Sequence, residues 1–278
     1  MNYTIRPMEL GDAPGFNVLR RMPGVFENTL GLPSERVQHS IDGFQRFGPG
    51  DHIFVAVLED GRILYEGAAV NKLTHSVSLM PMVEEALNKC STDISEIELY
   101  AAVVGPGSFT GVRIGVSAVK GMAHGAGKPC VAVDALEALA WGVSLMPDLI
   151  CPIQDARAGQ VYGAAFQPGR VPQRVMEDTA AKLEDYLDQA LVAAKPEQKL
   201  CFLGDGVERY RTAIEARLGQ RAVFAPAQMS YLRPAAVAVL AWQNRENAVD
   251  YLTLQPHYLR APQAERARAA RLAAEGKA

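Results

Sequence analysis

Long apolar runs, paired cysteines, clustered histidines and excess charge are all missing from this chain of 278 residues. No stretch approaches the ~20 consecutive apolar residues of a membrane helix. The start, "MNYTIRPMELGDAP", has no basic segment followed by an apolar core. The expectation is a cytoplasmic protein with no membrane contact. Lys and Arg number 28 against 31 Asp and Glu, a formal charge of −3, which is not the profile of a domain that neutralises nucleic-acid phosphates. Any RNA is then held mostly by other chains. The exception is the ending, where Arg260, Arg266, Arg268, Arg271 and Lys277 stand against Glu265 and Glu275; a solvated helix is a plainer reading of it than an RNA contact. Cys90, Cys130, Cys151 and Cys201 are widely spaced with no Cys-x-x-Cys pair, and read as reduced, mostly buried thiols. His39, His52, His75, His124 and His257 are isolated, so no metal site is expected.

What is present is an ordinary globular composition, 49% apolar and 21% charged, in a chain long enough to bury a core in one large domain or two lobes. Three blocks are legible. Residues 1–51 hold a short strand "YTIRPM", a helix after Asp12, a second helix opening at Ser34, and a "FGPGD" turn. Residues 52–148 begin with two apolar runs joined through Glu59-Asp60-Gly61-Arg62, a hairpin signal. A helix follows, capped by Thr74 or Ser76, with Val77, Met80, Val83, Ala86 and Leu87 at helical spacing. Next come strand "IELYAAVV", a glycine turn, helix "TGVRIGVSAVKGMAHGAG", strand "PCVAV" and helix "DALEALAWGV". Residues 149–278 repeat the order more loosely: two strands around Ala158-Gly159, helix "AAKLEDYLDQALVAA", then strand, Gly-Asp-Gly turn and helix, and a last helix in "LRPAAVAVLAWQNRENAV". Alternating elements of this kind imply an α/β fold with a mixed sheet.

The glycine turn, "GPGSFTG", matches no common phosphate loop. A P-loop needs Gly-x-x-x-x-Gly-Lys-Ser/Thr, and "HGAGKP" puts Pro129 where the hydroxyl belongs. The dinucleotide fingerprint lacks its acidic residue. Gly105 and Gly107 allow close backbone approach, and Ser108 or Thr110 stands at a helix start, where free N–H groups carry ~+0.5 charge. The hydroxyls either cap those groups or leave them to an anion or partner, with Arg113 one turn further on. A Ser108, His75 and Asp134 or Asp155 triad has no Gly-x-Ser-x-Gly elbow behind it.

The segments "NKLTHSVSLMPMVEEAL", "AAVVGPGSFTGVRIGVSAVKGMAHGAGKPCVAVDALEALA", "IQDARAGQVYGAAF", "FLGDG" and "YLRAPQAER" resemble, in order, the bacterial TsaB (YeaZ) family of tRNA threonylcarbamoyladenosine biosynthesis. The resemblance implies a two-lobed actin-like, Hsp70-like (ASKHA) α/β fold. It implies a non-catalytic partner of a TsaD-like catalytic subunit, joined by a TsaE-like ATPase and touching tRNA only indirectly. It further implies no cofactor bound by this chain alone, with ATP or ADP at the complex interface, and pairing through the two helices that carry His75, Met80, Val83, Val112 and Val116, with TsaD or with a second copy as a homodimer. Where the catalytic relative has a metal-binding histidine pair, this sequence reads "VDALEALAWG", with no such ligand. The family's first strand, of the type I-L-A-I-D-T-S, is absent before "FVAVLEDG"; the preceding residues resemble the front of a GNAT N-acetyltransferase. That enzyme is the rival function, and a homodimeric binding module without a tRNA role is a third. The only match to the acetyl-CoA loop pattern, Gln160 to Ala165, lies inside an alternating strand instead of before a helix.

Overall fold

The computed structural model describes residues 52–70 and 75–260. The expected strand at "YTIRPM", both early helices and the "FGPGD" turn lie outside these residues. The hairpin forms where Asp-Gly predicts it: β1 (His52–Glu59) and β2 (Arg62–Val70) run antiparallel, and Asp60 and Gly61 take φ of 47° and 81°, the conformation that a two-residue turn between right-twisted strands demands. Helix α1 (His75–Cys90) follows. Strand β3 (Tyr100–Gly105), helix α2 (Phe109–Ala126), strand β4 (Cys130–Asp134) and helix α3 (Ala135–Trp141) come next, with β3 and β4 parallel. Gly127 ends α2 at φ 64°, and Asp134 caps α3 by accepting the Glu137 N–H at 2.7 Å.

A five-stranded sheet of order β7-β6-β5-β8-β9 makes the second half. It comprises β5 (Leu149–Asp155), β6 (Gln160–Gln167), β7 (Gln173–Lys182), β8 (Leu200–Leu203) and β9 (Ala222–Phe224). Helices α4 (Leu183–Ala193) and α5 (Gly206–Leu218) cover one face, where Tyr186, Leu187 and Ile214 meet Phe202. On the other face Leu136 and Leu139 of α3 meet Ile150, Phe166 and Leu203. The same α3 turns Ala138 toward Val131 of β4 and Val237 of α6 (Pro234–Gln243). One helix therefore belongs to two cores, and each large apolar side chain buried there is worth ~1.5–3 kcal/mol.

Two expectations change. The helix expected from Ala180 starts at Leu183, because Ala180 and Ala181 are paired with Tyr162 and Val161 at the end of β7. Strand β7 itself, and the short β9, were not expected. All four cysteines are free, with Cys130, Cys151 and Cys201 buried; burial pushes the Cys201 thiol up to about 11. No helix among the described residues is long and apolar enough to cross a membrane.

Candidate functional site

The glycine turn closes on the chain's own C-terminal segment. Gly105 sits at φ 128°, and a Cβ added there would lie 2.5 Å from the His257 carbonyl oxygen. The His257 N–H in turn donates to the Val104 carbonyl at 2.8 Å. A side chain is excluded at Gly105 because a backbone occupies its place, and that backbone belongs to residues 254–260. Past the turn, Ser108 is the N-cap of α2: its Oγ accepts the Gly111 N–H at 3.4 Å. Thr110 is already inside the helix and exposed, so the cap that the sequence leaves open between the two falls to Ser108.

Arg113 does not stand free beside the turn. Its Nε donates to the Tyr258 hydroxyl at 2.6 Å, and its guanidinium lies 4.9 Å from the Phe109 ring and 5.3 Å from the Tyr258 ring. The two rings stack at 4.2 Å. Arg113 thus pins the C-terminal strap to the start of α2, and Arg260 carries the strap on to the second half by donating to the Ala156 carbonyl at 2.7 Å.

The residues expected on a partner face divide. Val116 is 2% exposed and packs with Tyr100, Ala102 and Leu254; Val112 is half-buried against the same cluster. Both face the core within this chain. Met80 is 47% exposed and Val83 half-buried, on α1, which opens at His75. Gly107 is half-buried beside the turn.

Between the halves, acidic groups are matched by cations. Asp155 at the end of β5 accepts Arg209 Nη1 at 3.0 Å, and lies 3.6 Å from Arg157. Its N–H donates to Asp205 in the Gly-Asp-Gly turn at 3.2 Å, where a Cβ on Gly204 would strike the Ile153 carbonyl oxygen at 2.2 Å. Asp134, which caps α3, is bridged to β7 by Arg174: Nη2 reaches Asp134 at 3.1 Å and Nη1 binds Asp178. Burial and then the neighbouring Asp134 push the Asp178 carboxyl up to about 7, against the pull of Arg174. Asp134, Asp178 and His257 together are spaced to hold a metal ion. "VDALEALAWG" therefore does contribute one group of ligand type, Asp134, but the Arg174 guanidinium already balances both carboxylates, which disfavours a cation there. The fit to a bound nucleotide is also poor, since the strap covers the glycine turn and Arg113 is engaged.

Two glycine turns at strand ends, facing each other across halves that share a helix, define an α/β protein of the TsaD class. The sequence matches the family model described as TsaD, tRNA N6-adenosine threonylcarbamoyltransferase, over residues 69–268. It is 34% identical over 76% of the chain to the tRNA threonylcarbamoyladenosine biosynthesis protein TsaB of Bacillus subtilis, covering 90% of that protein. It is 27% identical over 71% of the chain to the TsaB of Haemophilus influenzae, covering 87% of it. The solved structure of YeaZ from Pseudomonas aeruginosa superposes with a TM-score of 0.61 at 25% identity, over 75% of this chain and 95% of that one. The chain belongs to the TsaB (YeaZ) family.

Sequence reasoning reached Gly105, Ser108 and Arg113 but missed what holds them. Tyr258 and His257 are 145 and more residues from Arg113 and Val104, and no local pattern announces such a pairing. Arg174 and Asp178 were missed because the strand carrying them was.

Proposed function

We propose that this chain is a non-catalytic partner subunit in tRNA threonylcarbamoyladenosine synthesis, supporting threonylcarbamoyl transfer to the adenosine beside the anticodon by a TsaD-like catalytic subunit, with a TsaE-like ATPase and indirect tRNA contact. The observation that carries this reading is the internally matched cleft: Asp155 is tied to Arg209, Asp134 and Asp178 to Arg174, and the glycine turn to His257. Groups so engaged are poorly placed for acid–base or nucleophilic work, which needs a reactive group within reach of a substrate. The two-lobed actin-like arrangement, with lobes at 52–148 and 149–278, is supported by the two core systems that meet on α3. Any ATP or ADP is then held with a partner, and the cytoplasm is the compartment in which these partners work.

The test is co-expression with the TsaD of the same source. A complex that survives size-exclusion chromatography at micromolar concentration is expected; separate elution of the two chains overturns the reading. Weakening of that complex by Met80→Glu would place α1 in the interface. A species heavier than the monomer for the isolated chain would fit a homodimer through the same face. Calorimetry with acetyl-CoA is expected to show no binding heat, and micromolar affinity would instead favour the acetyltransferase.

A further inference from the structure

The first half of the molecule holds two sheets that do not join. β1–β2 and β3–β4 are separate two-stranded sheets, although α6 packs against members of both. Strand β3 is covered on both faces: Tyr100, Ala102 and Val104 turn to the α2 side, Ala101 and Val103 to the α6 side. A strand buried on both faces belongs in the middle of a sheet. Here it has β4 on one edge and no strand on the other among the described residues. An unpaired edge leaves a row of backbone donors and acceptors that must be met by something.

That free edge borders a cavity of about 870 Å³. Residues 99–103 line it along β3, Leu64 of the hairpin lines it opposite, Val83 and Val112 close one face, and Val237 and Ala241 the other. It is a layer one strand wide between helices. Tyr100, 8% exposed, places a hydroxyl there with no hydrogen-bond partner. The charge of the lining is one-sided: Glu59, Asp60, Glu96, Glu98 and Asp205 contribute, and no described lining residue is Lys or Arg. Glu96 and Glu98 stand immediately before β3. The Asp60–Gly61 turn lies against Trp242 at the end of α6, and Val249, just beyond α6, pairs with Cys130 level with Tyr100. The acidic end is thus the end where β3 begins.

We propose that this slot takes one added β-strand, an extended peptide segment of a partner chain, about as long as the six residues of β3, apolar on both faces and basic where it meets the start of β3. Main-chain hydrogen bonds to the free edge would supply the pairing, as in strand addition generally, and the apolar walls the selectivity. The chain's own "YTIRPM" is badly suited to the place. Arg6 would be buried, and Pro7 has no N–H to give to a central ladder.

The probe is a synthetic peptide with a six-residue Val/Ile/Ala core and two lysines, made in two versions with the lysines at either end, titrated into the full chain. Trp242 lines the slot, so binding is read from tryptophan fluorescence and checked by calorimetry. Saturable binding of one version is expected. A peptide with proline in mid-core, or with glutamates for lysines, is expected to bind about tenfold more weakly or worse. The double variant Asp60→Lys/Glu98→Lys, at exposed positions, should invert the preference toward the glutamate-flanked peptide while its melting temperature stays near that of the parent. Absence of saturable binding up to roughly 1 mM overturns the proposal. So does equal binding of the proline peptide, which would mean apolar adsorption without strand pairing.

Discussion

At the level of single residues, the glycine turn separates two roles that look alike in sequence. Ser108 and Thr110 are both hydroxyls at a helix start, and only the backbone geometry selects Ser108 as the cap. Ser108→Ala should therefore lower stability by ~0.5–1 kcal/mol as a lost cap does, while Thr110→Ala, at an exposed helical position, should leave it nearly unchanged; chemical denaturation of the two variants decides it. Asp178 gives a second residue-scale expectation. Its carboxyl is raised to about 7 in the folded chain against ~3.9 in an unfolded one, so between those values the native state holds the proton more tightly. Stability contributed by this group is then largest below pH ~4 and falls as pH rises toward 7. Asp178→Asn should flatten that fall, and melting temperatures at pH 5 and pH 8 should differ less in the variant than in the parent. A variant with the same pH slope as the parent would mean that Asp178 is ionised across the range.

Secondary-structure elements were legible where one local signal sufficed. Asp60-Gly61 announced the hairpin, Gly127 the end of α2, and Pro234 the start of α6. Strand β7 was not legible, because its burial alternates only weakly and it carries Glu177, Asp178 and three residues, Ala180 to Lys182, that favour helix. Pairing with β6 overrides that propensity. The docking of the hairpin was equally hidden. Glu66 on β2 receives both Nε and Nη2 of Arg233, at 3.0 and 2.9 Å, and the Ala235 N–H at 3.3 Å, residues more than 160 positions away. The Arg233 hydrogen bond foremost holds the Glu66 carboxyl below the usual range. This contribution is therefore present above the ordinary carboxylate pKa and is lost as pH falls through the lowered one. Glu66→Gln should loosen the hairpin from α6, and amide exchange in β1 and β2 should accelerate while that of β5 and β8 does not. Uniform acceleration across all four strands would show the clamp to be part of global stability instead.

Across the whole molecule, the two halves are joined by α3, which shares its apolar faces between them, and by the strap from residue 249 to residue 260. The strap starts at the Cys130–Val249 pairing, buries Leu254 in the first core, crosses the glycine turn at His257, stacks Tyr258 on Phe109 and ends with Arg260 on the Ala156 carbonyl. Arg113 is therefore bound within the chain, and the question is whether that contact is the whole of its role. A double-mutant cycle answers it. If Arg113 acts through Tyr258, then Arg113→Ala and Tyr258→Phe remove the same charge-assisted hydrogen bond, each costing ~1.5–3 kcal/mol at most, and the double variant should be little worse than either single one. Protease cleavage near the C-terminus should rise equally in all three. If the losses in stability add instead, Arg113 and Tyr258 are independent. If Arg113→Ala retains the parent's stability yet weakens the complex with a TsaD-like subunit while Tyr258→Phe does not, the guanidinium serves the partner, and the strap contact is only where it rests in the isolated chain.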